Sequence, residues 1–149
     1  MPGAAVESSR VIAKPSTINR ALSKITTCFQ RAITMQNKVA HELDTEKTLA
    51  FTALFSDDIL DGAEALDKLL RTPGIDRELT LLLAECKDSL ETIVVYAQDL
   101  EEEAKAQLDK ACRNEFVGLF NIRNLLGNSE EMMSDLKVIL ASLEDARQS

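Results

Sequence analysis

The sequence predicts an all-α protein, a helical bundle of four to five helices, and three observations lead to that prediction. Ala, Leu, Glu and Lys are frequent, while only three prolines and five glycines interrupt the 149 residues. Two long stretches place apolar residues at alternating steps of four and three, the spacing of helices that pack lengthwise. No segment has a convincing strand pattern. The length suffices for one domain with its own hydrophobic core.

The composition also predicts the limits of the domain. Residues 1–15 are rich in small residues, Ser and Pro, so we expect a disordered N-terminal arm that buries too little surface to fold. A single helical-bundle domain is expected over residues 16–146, and residues 147–149 form a short C-terminal tail.

The first predicted helix begins near Ser16 or Thr17, either of which can cap it, and ends between residues 43 and 46. Its apolar seam has one polar interruption, at Gln36. The seam consists of Ile18, Leu22, Ile25, Phe29, Ala32, Gln36, Val39 and Leu43. The opposite face carries four basic residues and is expected to lie in water. This basic face consists of Arg20, Lys24, Arg31 and Lys38.

The second predicted helix covers residues 46–71, with a kink after which Ser56 restarts it, and Pro73 and Gly74 end it. The third has the longest seam, begins at a capping Asp76 and breaks near Asn114, where the seam would require polar residues and glycine. The third helix's seam consists of Leu79, Leu83, Cys86, Leu90, Ile93, Ala97, Leu100, Ala104, Gln107 and Ala111. We expect the first and third helices to be long and capable of antiparallel packing, with shallow crossing angles near 20°.

Residues 115–126 are predicted to form a fourth helix that is apolar around most of its circumference. Such a helix is either central to the bundle or leaves a patch for a protein partner, with Leu119, Ile122 and Leu126 as anchors on one face. The candidate partner-binding residues are Phe116, Leu119, Phe120, Ile122 and Leu126. A fifth helix after residue 129 carries the stripe Met132, Leu136, Ile139 and Leu143.

Charge and cysteine content exclude several classes of function. The net charge of −8 is unfavourable for binding nucleic acid or anionic lipid, although residues 1–40 carry six basic residues and one acid. This basic segment can pair with the acidic remainder, face an acidic partner or act as a mitochondrial presequence. Three scattered cysteines do not suggest disulfides or zinc, and no apolar run reaches transmembrane length. We therefore expect an intracellular, cytoplasmic protein.

Asp57, Asp58 and Asp61 form a DDxxD pattern within the sequence SDDILDG. The spacing resembles that with which all-helical isoprenoid synthases hold magnesium, and the resemblance implies a metal-dependent enzyme. The alternative is a helix start: Ser56 caps the helix, and the acids stabilise its positive end. We favour this alternative because a diphosphate site needs carboxylates from a second helix and the sequence has no second motif.

The other reactive residues do not form a catalytic pattern. His41 is the only histidine and is expected at the surface near a helix end, while Cys28 and Cys86 are expected in the core. The sequence therefore predicts a non-enzymatic protein–protein interaction module that needs no cofactor and has a protein partner, its own homo-oligomer included. The alternatives are a carrier of an apolar small molecule in the bundle core and, third, a magnesium-dependent enzyme at the aspartates.

Overall fold

The computed structural model describes residues 14–148 and confirms an all-α bundle. Residues 1–13, and with them most of the predicted arm, lie outside the described residues. The described part contains five helices: α1 (Pro15–His41), α2 (Thr45–Leu70), α3 (Arg77–Cys112), α4 (Phe120–Gly127) and α5 (Glu130–Gln148). The last helix thus extends two residues into the predicted tail.

Helices α1 and α3 run parallel, with α2 antiparallel between them. Ile18 and Leu79, each near the start of its helix, line one cavity, while Gln36 and Tyr96 lie together further along. The capacity of these two helices for antiparallel packing is not used between them, because two short reversals leave the first and third helices pointing the same way. On the α2–α3 side, the Phe55 and Tyr96 rings meet edge to face with centroids 6.0 Å apart.

The α1 seam is confirmed except at its ends. Leu22, Ile25, Phe29, Ala32 and Val39 are buried. However, α1 ends at His41, so Leu43 lies in the following loop and is 93% exposed. The predicted caps Ser16 and Thr17 were also wrong: Lys14 is the N-cap and Pro15 opens the helix without a side-chain cap. Proline suits this position because it has no N–H to satisfy and its φ is already helical.

Helix α2 is continuous and begins one residue earlier than predicted. The Asp44 carboxylate accepts a hydrogen bond from the Lys47 N–H (2.9 Å) and caps it. Ser56 lies in the middle of the helix and is buried, so the predicted restart at this residue was wrong. Phe55 and Ile59, on either side of it, are fully buried in the core. This packing holds the chain helical where local sequence suggested a start.

Both predicted ends of the third helix, the cap at Asp76 and the break near Asn114, are confirmed. The Asp76 carboxylate accepts from the Leu79 N–H (3.4 Å), and Asn114 has a φ of 57°, just beyond the last helical residue Cys112. The left-handed backbone suits asparagine better than most residues. At 36 residues, α3 is about 54 Å long.

The fourth helix is shorter than predicted, because residues 115–119 are irregular and α4 starts only at Phe120. The backbone N–H of Gly118 donates a hydrogen bond to the side-chain oxygen of Gln107 in α3 (2.9 Å), and the Asn121 side chain donates to the Glu103 carboxylate (3.2 Å). The segment therefore folds back along α3. Leu136, Ile139 and Leu143 of α5 are buried and Met132 is half-buried, which confirms the predicted stripe.

Candidate functional site

Two features that the sequence showed separately border one groove between α1 and α2. The basic residues Arg20, Lys24 and Arg31 line one side, and Asp58 and Asp61 line the other. We call these five residues and the space between them the charged groove. The groove has a volume of about 650 Å³. Its lining also includes Cys28, Ala65, Glu64, Lys68, Ser23 and Thr27.

The charges face each other across the groove without direct ion pairs. Burial raises the pKa of Asp58, and the opposing Arg31 guanidinium only partly offsets that rise. In residues 14–148, no ion pair within 4.0 Å joins Arg20, Lys24 or Arg31 to either aspartate of the groove. The groove thus holds opposite charges that do not form close ion pairs with each other.

The fourth basic residue, Lys38, lies apart from the groove. Its ammonium nitrogen is 5.6 Å from the centre of the Phe51 ring, a distance typical of a cation–π contact. All four basic residues are exposed, as expected, but the structure assigns them to two different surroundings.

The DDxxD acids do not converge on one point. Burial raises the pKa of Asp57, and the nearby carboxylates of Glu101 and Asp61 raise it further, while Lys105 opposes the change. Asp57 therefore faces α3, whereas Asp58 faces α1. The helix-start explanation was also wrong, since all three acids lie in the interior of α2. Over the described range, no three His, Cys, Asp or Glu side chains group closely enough to hold a metal ion.

The predicted partner-binding residues fall into two sets. Ile122 is fully buried, and Leu119 and Leu126 are half-buried against the core, so at these three positions the chain adopts the alternative of internal packing. The segment that carries them lies along the last turns of α3, to which Gly118 and Asn121 are hydrogen-bonded. Phe116 and Phe120 point away from the core and are 88% and 81% exposed.

The helix that carries Phe120 contacts the loop between α1 and α2. The Arg123 guanidinium donates to the Glu42 carbonyl (3.1 Å), which places α4 against this loop. Leu43, the residue next to Glu42, is the exposed leucine that ends the α1 seam. We call Leu43, Phe116 and Phe120 the docking end of the bundle.

A buried polar cluster surrounds the one polar residue of the α1 seam. Gln36 donates to the Ser129 hydroxyl (2.9 Å), which in turn donates to the Leu126 carbonyl (2.6 Å). Burial raises the pKa of the adjacent Tyr96 hydroxyl, and Ser129 and Gln36 oppose that rise. In the part of the chain that the structure describes, neither Tyr96 Oη nor Gln36 Oε1 has a partner in hydrogen-bonding geometry. The cluster joins α1, α3 and the start of α5.

The remaining reactive residues agree with their expected surroundings. His41 is exposed, with Nδ1 2.8 Å from the Asn37 carbonyl oxygen. Cys28 and Cys86 are buried, and burial raises the pKa of Cys86 to about 11, so it stays a thiol at neutral pH. Cys112 is exposed at the end of α3.

None of the helices between residues 14 and 148 combines the length and the hydropathy that crossing a bilayer requires. Comparison with protein-family models, with curated proteins and with solved structures found no match.

Proposed function

We propose that the protein is a non-enzymatic interaction module that binds another protein through its docking end. The observation that carries the proposal is the exposure of Phe116 and Phe120. The chain has five phenylalanines, and two others, Phe29 and Phe55, are fully buried. An exposed phenylalanine ring gains about 1.5–3 kcal/mol when it is removed from water, so two together favour an apolar partner surface.

The geometry suits a partner that offers a groove for aromatic side chains. Ile122 anchors α4 to the core while Phe120 projects outward from the same short helix. Aromatic residues are enriched at the centres of interfaces because they bury a large area with few rotatable bonds. The acidic body, with its net charge of −8, supports a partner whose rim is basic.

The test is site-specific photo-crosslinking followed by a binding measurement. A photoreactive phenylalanine analogue replaces Phe116 or Phe120 in cells that make the protein, and we expect one discrete crosslinked partner from both positions. The same analogue at Val138, which is 65% exposed on α5, serves as the matched control and should not give that product.

The partner identified in this way is then purified and titrated. Phe120→Ser and Phe116→Ser should each weaken binding at least tenfold, about 1.4 kcal/mol, without changing the helical content. Equal affinity of the wild type and the double variant would exclude the docking end as the binding site.

A second candidate function, carrying an apolar small molecule, is favoured by one cavity of about 680 Å³. It lies between the starts of α1 and α3 and the end of α5, and Ile18, Leu79 and Leu82 contribute to its lining. Its size is typical of small-molecule sites. This location differs from the bundle core, which is where the sequence led us to expect an apolar ligand.

Native mass spectrometry distinguishes the carrier function from the docking function. A carrier should retain a bound molecule of lipid or metabolite mass, and Leu79→Lys should abolish its retention. Phe120→Ser, which lies in the docking end, is the control that should leave a bound molecule in place.

A further inference from the structure

The charged groove has a property that a surface of one charge lacks: it is complementary to a second copy of itself. A basic row on α1 lies beside an acidic row on α2, and the two helices are antiparallel neighbours. When two such surfaces meet face to face, each row can lie opposite the row of contrary charge. Twofold-symmetric interfaces require such self-complementarity.

The orientation of the twofold axis follows from the charges. An axis along the groove, between α1 and α2, places α1 of one copy over α2 of the other. An axis across the groove would instead place α1 over α1 and bring like charges together. Only the first arrangement sets the basic residues of α1 on the same side as Asp58 and Asp61 of the second copy, with Arg31 level with Asp58, while Arg20 lies nearer the height of Lys68.

The arrangement along the groove also keeps the rows in register. Rotation about an axis parallel to the helices leaves each residue at its own height. Arg31 acts on Asp58 within one copy, so the two residues are at similar height, and the rotation preserves that match between copies. Close pairs would then form between copies, whereas within the described residues of one copy no ion pair within 4.0 Å joins the basic residues of the groove to Asp58 or Asp61.

We propose that the charged groove is a homodimer interface in which the basic row of α1 pairs with the acidic row of α2 from a second copy. This goes beyond the proposed docking function and uses a different face of the bundle. The volume of the groove, about 650 Å³, leaves room for the long basic side chains of the other copy. Glu64 and Lys68 also line the α2 side, but they pair with each other (3.5 Å) and add no net charge to the acidic row.

The overall charge opposes association only at long range. Each copy carries −8, but at about 0.1 M salt the Debye length is roughly 10 Å, so distant charges are screened. At contact, the paired rows act over shorter distances and in a partly desolvated groove. The dimer should therefore persist at about 0.1 M salt and dissociate at about 1 M, where the Debye length is roughly 3 Å.

The first experiment is sedimentation equilibrium of the full chain, at about 0.5 mM protein in the same roughly 0.1 M salt. The expected apparent mass rises with concentration toward twice the 16.4 kDa monomer mass. Lys24→Glu with Arg31→Glu makes both rows acidic and should give a monomer. Asp58→Lys with Asp61→Lys makes both rows basic and should also give a monomer, whereas a mixture of the two variants should form a one-to-one dimer.

A matched control separates the groove from net charge. Lys14→Glu with Lys47→Glu changes the total charge by the same amount as Lys24→Glu with Arg31→Glu. The two lysines are exposed and lie outside the groove. This control should still dimerise, and circular dichroism should show that all variants keep their helical content.

Two results would overturn the proposal. One is a wild-type chain that stays monomeric under these conditions. The other is a dimer whose mass is unaffected by both groove variants, which would place the contact on another face. Neither result bears on the docking end, because Leu43, Phe116 and Phe120 are unchanged throughout.

Discussion

The ring of Phe29 on α1 occupies the place that a β-carbon at Gly62 on α2 would take. An ideal β-carbon at residue 62 would lie 2.5 Å from Phe29 Cε1, and both residues are buried. Glycine therefore lets two long helices approach each other at this point.

Gly62→Ala is expected to destabilise the protein by about 1–2 kcal/mol, because overpacking a core costs more than the helix propensity that alanine gains. Urea unfolding measures the difference. Gly127→Ala is the control, since a β-carbon there meets nothing within 4 Å. Adding Phe29→Leu should recover part of the loss, and no loss in the single variant would mean that the helices separate easily.

Tyr96→Phe is expected to leave the stability unchanged or to raise it by about 0.5–1 kcal/mol. The change removes a buried hydroxyl that lacks a hydrogen-bond partner among the described residues, and such a group costs free energy. Gln36→Ala, by contrast, breaks the bond to Ser129 and should destabilise by about 1–2 kcal/mol. Denaturant unfolding of both variants checks the ranking, and a larger loss in Tyr96→Phe would show that the hydroxyl is bonded.

Asp57→Asn is expected to stabilise the protein at pH 7 by a few tenths of a kcal/mol, as is usual for exposed charges. The folded-state pKa of Asp57 lies above the ordinary 3.8, mainly through burial and then through Glu101. The folded state thus binds the Asp57 proton more tightly than the unfolded state does. The protonated carboxyl stabilises the fold at low pH, and this stabilisation is lost as the pH rises from 3.8 through the raised pKa.

The pH profile provides the check for Asp57. In Asp57→Asn, unfolding free energies measured from pH 3 to 7 should fall less steeply with rising pH across that window than in the wild type. Glu101→Gln should reduce the same slope, and the two changes together should be non-additive. Additive effects would mean that the two carboxyls do not interact.

Lys87→Met is expected to raise the pKa of Asp67 toward the ordinary 3.8. The hydrogen bond from the Lys87 ammonium to the Asp67 carboxylate (2.7 Å) is the main cause of the lowered pKa, and Arg71 adds to it. The stability from this pair is present above pH 3.8 and is lost as the pH falls through the lowered pKa. NMR titration of the Asp67 carboxyl carbon measures the shift, and Arg71→Met should produce a smaller one.

The helices could be predicted because burial imposes a period on the sequence. Leu22, Ile25 and Phe29 mark the α1 seam by spacing alone, and Gln36 stands out as its polar member. The hydrogen-bond partner of Gln36, however, is Ser129, 93 positions further along the chain, and the neighbouring Tyr96 lies 60 positions further along. No local pattern connects such residues, so the polar cluster became visible only in the fold.

Where the structure departs from the sequence-based expectations, the causes are local. Serine is a common helix-capping residue, but core packing on both sides of Ser56 holds it inside α2. Leu119, Ile122 and Phe120 were equally apolar in sequence, and only the start of α4 at Phe120 decides which of them face the core. The charged groove depends on the relative heights of α1 and α2, which the α1–α2 loop sets.

The attachment of α4 has a consequence for how the docking end moves. Its polar ties to the rest of the bundle are few, the exposed bonds from Asn121 to Glu103 and from Arg123 to Glu42, and Ile122 is its one buried side chain. Amide protons of α4 should therefore exchange with deuterium well before those of α2 and α3. This corner of the molecule can unfold and refold locally while the other helices stay folded. The rate at which the docking end opens is therefore separate from the rate of global unfolding.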